Sequence, residues 1–129
     1  MKNKYPLLVF TMMALPLFVF SQKAYEAIYY TGKTQTDFLK FTLANGYTAA
    51  SKIIITTNKT KNSATFLPEQ GEADTAGKLK FYHYSTSGKK FTDYFILEGS
   101  NENYEKAPLK IFGKYYYKGR AYPIALKKK

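Results

Sequence analysis

Basic and aromatic residues alternate near the C-terminus of this sequence. Lysine occupies positions 110, 114 and 118, and aromatic residues occupy positions 112 and 116. Residues two apart lie on the same face of a β-strand, so this spacing gathers ammonium groups and rings on one surface. Such a surface can stack flat rings such as sugars while it holds carboxylates or phosphates. The predicted binding residues are Lys110, Phe112, Lys114, Tyr116, Lys118, Arg120 and Lys127.

The same pattern has a second explanation, in which Phe112 and Tyr116 pack beneath a second sheet or helix and the lysine stems extend to its rim. Aromatic residues make up 18% of the chain, and most aromatic residues of so small a domain must fill its core. The exposure of these two rings distinguishes the two explanations.

Groups suited to catalysis or metal binding are few. His83 is the single histidine and there is no cysteine, which excludes a His-rich zinc site and a cysteine nucleophile. Ser85, Ser87 and Asp93 lie near His83 in sequence, but no G-x-S-x-G motif supports a serine nucleophile. The acidic segment 69–74 lacks the ligand alternation of a calcium loop. We therefore predict no catalytic residues, no metal site and no cofactor.

The N-terminus has the features of a secretory signal peptide. Lys2 and Lys4 precede an apolar run over 6–20, which Pro16 interrupts, and a cut between Ser21 and Gln22 would follow it. A spanning helix needs roughly 20 apolar residues, which disfavours the alternative of an uncleaved anchor. We predict a signal peptide over 1–21, an exported chain without a transmembrane span, and a periplasmic or secreted location.

The positive charge belongs mainly to the predicted mature chain. Loss of Lys2 and Lys4 lowers the formal charge only from +11 to +9. Arg120 is the single arginine, and lysine reads base edges less well than a guanidinium does. An exported, lysine-rich domain is therefore expected to bind an anionic polymer, a glycan or an acidic protein, and no specific nucleic acid.

Segments of about eight residues rich in Tyr, Phe, Ile, Leu and Thr alternate with turn-forming residues, as in antiparallel all-β domains. We predict one all-β domain over 22–129, an antiparallel meander that forms a small sandwich or a partly open barrel. The predicted strands are 24–31, 47–57, 62–67, 78–86, 90–98, 109–117 and 120–127.

The segment 35–45 is ambiguous between a strand and one short helix. As a strand it alternates apolar residues up to Asn45-Gly46, a strong turn signal. As a helix it has Thr36 as N-cap and Gly46 at the C-terminal glycine position. Pairing directly through the turn at Gly46 would set Phe41 against Ala50, a poor apolar match.

Two hairpins can be registered from their turns. With Lys118-Gly119 as a two-residue turn, Tyr117 faces Arg120 and Tyr115 faces Tyr122. Pro123 then makes the last strand suitable for a sheet edge. With Ser87-Gly88 as the other turn, residue 81 faces residue 94.

Three functions remain open. The first is a non-enzymatic domain that binds an anionic or sugar-containing envelope partner, or an acidic protein, through the basic aromatic face. The second is a structural or assembly protein that docks a partner through an edge strand. The third is a small hydrolase, because distant carboxylates such as Asp93 and Glu98 cannot be paired from sequence.

Overall fold

Eight antiparallel strands follow one another along residues 25–69 and 73–129, which are the residues that the computed structural model describes. Each strand is hydrogen-bonded to the next, and the eighth returns to the first, which closes the sheet into a barrel. The all-β prediction is confirmed, and the predicted signal peptide lies outside the described residues. The strands are β1 (Glu26–Lys33), β2 (Asp37–Asn45), β3 (Lys52–Thr57), β4 (Ser63–Pro68), β5 (Leu79–Tyr84), β6 (Lys90–Leu97), β7 (Lys110–Tyr117) and β8 (Arg120–Lys128).

Large apolar side chains fill the inside of the barrel. Inward-facing residues alternate with outward-facing residues along every strand, and the largest buried rings are no more than 2% exposed. The Phe66 and Phe95 rings meet edge to face, with centroids 4.7 Å apart. An eight-stranded barrel is just wide enough for side chains to fill it. The most deeply buried rings belong to Tyr30, Phe41, Phe66, Phe81 and Phe95.

Closure depends on a short pairing between β1 and β8. Thr31 pairs with Lys127 and Tyr30 pairs with Lys128. The expectation of a sheet edge is therefore wrong at this end of β8. Continued along the strands, the same register places Pro123 beyond Lys33, where β1 ends. Proline has no N–H to donate. Because Pro123 does not face a residue of β1, the pairing of β1 with β8 loses no hydrogen bond.

Two glycines allow neighbouring strands to approach each other closely. A Cβ atom on Gly113 would lie 2.4 Å from the carbonyl oxygen of Ile96 in the neighbouring strand β6. A Cβ atom on Gly32 would lie 2.8 Å from the carbonyl oxygen of Ala125, at the β1–β8 seam. Real Cβ atoms are essentially never found so close to backbone oxygens. Glycine is therefore a steric requirement at both positions.

The ambiguous segment 35–45 is strand and not helix. Leu39 and Phe41 are buried within β2, while Lys40 between them is exposed. A 3₁₀ turn over Thr48–Ala50 lengthens the connection to β3, so that Phe41 pairs with Ile53. The helical interpretation of 35–45 is wrong. The longer connection lets this segment pair, as a strand, with apolar residues of β3, which a tight turn at Gly46 would not allow.

The register predicted for the β7–β8 hairpin is confirmed. Tyr117 pairs with Arg120 and Tyr115 pairs with Tyr122. Lys118 and Gly119 both have positive φ angles, 48° and 74°. Positive φ at both central residues characterises the type I′ turn, whose twist matches that of the flanking strands. The two-residue turn therefore determines the pairing of the whole hairpin.

The register predicted for the β5–β6 hairpin is wrong by one residue at its inner end. Phe81 pairs with Phe95, not with residue 94. The register shifts between Tyr82 and Tyr84; such an irregularity changes the number of residues on one strand. This shift brings two buried rings together inside the barrel. The stability gained by burying them outweighs the preference for a two-residue turn, so the pairing of the rings determines the register.

We predict that Gly113→Ala destabilises the barrel by about 1–3 kcal/mol, because the closest atom that the added methyl group meets is a backbone oxygen of β6, which cannot move aside as a flexible side chain could. Urea denaturation followed by circular dichroism measures the change. Lys114→Ala, at the next and exposed position of β7, is the control and should change stability by less than about 0.5 kcal/mol. Equal stability of Gly113→Ala and the wild type would contradict the close approach.

Candidate functional site

Most of the predicted binding residues share the outer face of β7 and β8. Lys110, Phe112, Lys114 and Tyr116 alternate with inward-facing residues of β7, and Lys127 pairs with Lys110 from β8. Phe112 is 56% exposed and contacts no other aromatic ring of the described chain. Phe112 therefore lies on the surface of the barrel and not beneath a second layer.

Lys118 and Arg120 lie apart from that face. Lys118 is in the β7–β8 turn, with its ammonium nitrogen 5.3 Å from the centre of the Tyr117 ring. Arg120 shares the inward parity of Ile124 and Leu126 but lies at the exposed beginning of β8. These two cations therefore lie on the rim of the barrel, at the end where β7 and β8 are exposed to solvent.

Tyrosines of three adjacent strands form a row across the same outer face, which we call the tyrosine row: Tyr82, Tyr94 and Tyr116. Strand register pairs Tyr82 with Tyr94 and Tyr94 with Tyr116. The rings of Tyr94 and Tyr116 stack with centroids 4.7 Å apart and an angle of 11°. Sequence reasoning missed this row because the register of β5–β6 was predicted wrongly.

The tyrosine row presents its ring edges and hydroxyls more than its ring faces. Tyr94 covers one face of Tyr116, and the ammonium of Lys90 lies 3.5 Å from the centre of the Tyr82 ring. The three hydroxyls make no hydrogen bond within the described part of the chain. Phe112 is thus the ring best placed to stack a flat ligand, and the row offers hydroxyl groups four residues further along β7 and on the neighbouring strands.

Positive charge on this surface is not neutralised by the protein. Among the residues that the structure describes, no lysine or arginine forms an ion pair with a carboxylate; the one contact of this type joins His83 and Asp93. Lys110 and Lys127 pair directly across β7 and β8, and like charges in such a pair destabilise the sheet. The outer face of β7 and β8 therefore carries cations that an external anion can satisfy.

A second polar cluster lies inside one end of the barrel. Asp93 joins two partners: its Oδ1 is 2.9 Å from Nδ1 of His83, and its Oδ2 accepts a hydrogen bond of 2.7 Å from the Tyr115 hydroxyl. Burial raises the pKa of Tyr115 well above its ordinary value, and the hydrogen bond to Asp93 and its charge raise that pKa further. Tyr115 therefore remains a neutral donor to the carboxylate.

The serines near His83 do not complete a catalytic triad. The Ser85 and Ser87 hydroxyls lie 2.9 Å apart, and the amide of Lys89 donates to Ser85. Both hydroxyls are thus engaged within the β5–β6 turn, and neither contacts His83. Over the two described ranges, no group of three His, Cys, Asp or Glu residues could hold a metal ion, and no helix there is long and apolar enough to cross a membrane.

Comparison with known proteins gave no match to a family model, a curated protein or a solved structure.

We predict that Tyr115→Phe lowers stability by about 1–3 kcal/mol at pH 7, because Asp93 loses a partly buried hydrogen-bond donor. The raised pKa of Tyr115 adds a pH dependence. Above its ordinary pKa of 10.0 the unfolded tyrosine loses its proton while the folded one keeps it, so rising pH favours unfolding of the wild type. The stability difference between wild type and variant should therefore shrink above pH 10.

Urea denaturation at several pH values between 7 and 11 measures this difference. Tyr29→Phe, at an exposed position of β1, controls for the loss of a hydroxyl group. A difference between wild type and Tyr115→Phe that stays constant over this pH range would contradict the assignment.

Proposed function

We propose that this protein is an exported, non-enzymatic β-barrel that binds an anionic glycan through the outer face of β5–β8. The observation that carries the proposal is that one outer face combines an exposed Phe112, the partly exposed tyrosine row and lysines without carboxylate partners among the described residues. An anionic glycan offers complementary groups to each: a ring for Phe112, hydroxyls for the row and carboxylates or phosphates for the lysines.

The spacing of the lysines suits an extended polymer better than a small anion. Lys110 and Lys114 are four residues apart on β7, which corresponds to about 13 Å at the usual rise per residue of a strand. This distance exceeds the screening length of about 8 Å at physiological salt, so one small ion cannot interact strongly with both. An exposed ion pair contributes only about 0.2–1 kcal/mol. Useful affinity therefore requires several contacts along one chain.

The composition of the face favours a polymer over an acidic protein. Protein interfaces concentrate their energy in buried aromatic and arginine anchors and are depleted in lysine. On the β7–β8 part of this face the cations are Lys110, Lys114 and Lys127, all exposed. Lysine ammonium groups keep much of their hydration, which is compatible with a wet, multivalent contact to a glycan.

The assembly alternative has less support than glycan binding. Barrel closure pairs the end of β8 with β1 through Lys127 and Lys128 and leaves the stretch before Ala125 without a β1 partner. That stretch contains Pro123, which cannot donate a ladder hydrogen bond. A partner strand would therefore find only a few hydrogen bonds there.

The charge requirement is tested with Lys110→Glu/Lys114→Glu. Binding to polygalacturonate, a carboxylated glycan, is measured by calorimetry at several salt concentrations. We expect affinity to fall at least tenfold and the salt dependence to become shallower, because fewer cations contact the polymer. The matched control is Lys40→Glu/Lys52→Glu, which changes the net charge equally on β2 and β3, outside the proposed surface.

Two results would contradict the proposal. In one, both double variants weaken binding equally, which would indicate attraction to the net charge alone. In the other, neither variant changes the affinity. Strong binding to polyglutamate but not to polygalacturonate would instead favour an acidic protein partner.

The role of the ring is tested separately with Phe112→Ala. We expect affinity for polygalacturonate to fall about three- to tenfold, in line with an aromatic contact of about 1 kcal/mol, while affinity for inorganic polyphosphate, which has no sugar ring, stays unchanged. Tyr29→Ala is the control, because Tyr29 is also 56% exposed but lies on β1. Equal losses for both polymers would refute ring stacking by Phe112.

A further inference from the structure

The two ends of the barrel differ in how they are covered. The connections 46–51 and 98–109 fold over one end, where Asn45 and Tyr104 exchange hydrogen bonds of 2.7 and 2.9 Å. β1 also begins at this covered end, because Glu26 pairs with Asn45. At the other end, which we call the mouth, the strands are joined by short turns over 34–36, 58–62, 85–89 and 118–119.

Cations surround the mouth. The four turns and the strand ends beside them carry seven exposed lysine and arginine side chains and one carboxylate, that of Asp37. Asp93 lies further into β6, and His83 and Tyr115 occupy its two carboxylate oxygens. The ammonium of Lys90 lies over a ring of the tyrosine row, which leaves six cations to the mouth alone. The seven are Lys33, Lys59, Lys61, Lys89, Lys90, Lys118 and Arg120.

The covered end has the opposite balance of charge. In the described residues of its connections 46–51, 69–78 and 98–109, and of the strand ends beside them, five carboxylates accompany four lysines. The net positive charge of these turns and connections is therefore concentrated at the mouth. The carboxylates belong to Glu69, Asp74, Glu98, Glu102 and Glu105, and the lysines are Lys52, Lys78, Lys106 and Lys110.

Three aromatic rings at the mouth are exposed although they occupy inward positions. Phe91, Tyr117 and Tyr122 are between 40% and 43% exposed. The ring of His83 lies 4.3 Å from that of Phe91, and the ring of Tyr115 lies 6.0 and 6.4 Å from the two tyrosine rings. His83 and Tyr115 also both contact a fully buried phenylalanine of β4. The mouth is therefore an aromatic surface that the packed core supports.

A ring of cations around exposed aromatic side chains fits a planar anionic surface. The cations come from all four turns, so a plane of anions can contact every turn at once, whereas a single polymer strand would cross only some of them. Aromatic side chains are common at the level of lipid headgroups, where one part of the ring is in apolar and another in polar surroundings. Each lysine or arginine near an anionic leaflet increases the affinity about fivefold.

We infer that the mouth docks this protein on the surface of a membrane that contains anionic lipids. The rings of Phe91, Tyr117 and Tyr122 enter the headgroup layer, and the cations of the surrounding turns contact the lipid phosphates. Docking uses the end of the barrel, whereas the glycan contact proposed above uses its side, so the two surfaces have no residue in common. Docking also gives a role to Lys118 and Arg120, which lie apart from the outer face.

A tryptophan at the mouth reports docking, because the chain itself contains none. Tyr117→Trp is mixed with vesicles of equal parts phosphatidylcholine and phosphatidylglycerol that carry a spin-labelled lipid as quencher. We expect a blue shift of the emission and at least twofold quenching, and neither effect with phosphatidylcholine vesicles. Phe112→Trp, on the side of the barrel, is the control and should show neither. Attachment through the segment before β1 would not reproduce this result, since β1 begins at the opposite end.

Charge reversal tests the contact with lipid. Lys59→Glu/Lys89→Glu, combined with Tyr117→Trp, should weaken binding to the anionic vesicles at least tenfold, because two of the four turns then repel the surface. The matched control Lys40→Glu/Lys52→Glu should weaken it less than about threefold, since charges further from the membrane than the screening length of about 8 Å contribute little. Polygalacturonate binding by Lys59→Glu/Lys89→Glu should stay within about threefold of the wild type, which separates this inference from the glycan proposal.

The inference is overturned if the emission of Tyr117→Trp is the same with and without anionic vesicles, or if Phe112→Trp is quenched more strongly than Tyr117→Trp. Equal losses in the two charge-reversal variants would also overturn it, because they would indicate attraction to the net charge alone. An emission shift with polygalacturonate or polyphosphate but not with vesicles would assign the mouth to an anionic polymer and refute membrane docking.

Discussion

Closure of the sheet is the constraint on which the rest of this structure depends. The pairing of β8 with β1 closes the barrel, so that side chains alternate along every strand between its inside and its outside. The inside takes the large apolar rings, and no second layer of the described chain covers the outside. Gly32 makes this seam possible, because a side chain there would meet the backbone of β8. Once the barrel is closed, lysines and aromatic residues at outward positions must face solvent.

That constraint explains which side chains share the outer face of β5–β8, the surface proposed to bind a glycan. Lys110 and Lys127, two outward residues of neighbouring strands, face each other and not carboxylates, so folding leaves their charge uncompensated. The tyrosine row forms because register places one tyrosine on each of three adjacent strands, and two of its rings, Tyr94 and Tyr116, stack. The cations, Phe112 and the tyrosine row therefore form one surface through strand pairing and not through proximity in sequence.

The sequence predicted local pairing well and long-range pairing poorly. The β7–β8 register follows from a two-residue turn with glycine at its second position. The residues that determine this register therefore belong to the hairpin itself. The β5–β6 register was missed because an irregularity near His83 is favoured by contacts inside the barrel, to which Phe66 of another strand contributes. The strand over 35–45 was ambiguous because its partner β3 begins only after an unpredicted 3₁₀ turn.

The same distinction applies to the candidate site. Alternation along β7 was enough to place four of the seven candidate binding residues on one outer face, because strand parity is a local property, and the hairpin register adds Lys127 of β8. The same alternation includes Lys118, but β7 ends at Tyr117, so the turn places Lys118 at the rim together with Arg120. Tyr82 and Tyr94 could be added only through cross-strand register. Hydrogen bonding of His83 to Asp93 likewise depends on the irregular pairing.

The central claim, that the outer face of β5–β8 binds an anionic glycan, is tested most directly by backbone amide NMR of the ¹⁵N-labelled protein during titration with polygalacturonate. Binding there predicts that the largest shift changes lie in β5–β8, around Tyr82, Tyr94 and Phe112, while the amides of β2 and β3 remain unchanged. Shift changes spread evenly around the barrel, or concentrated on β2 and β3, would contradict it.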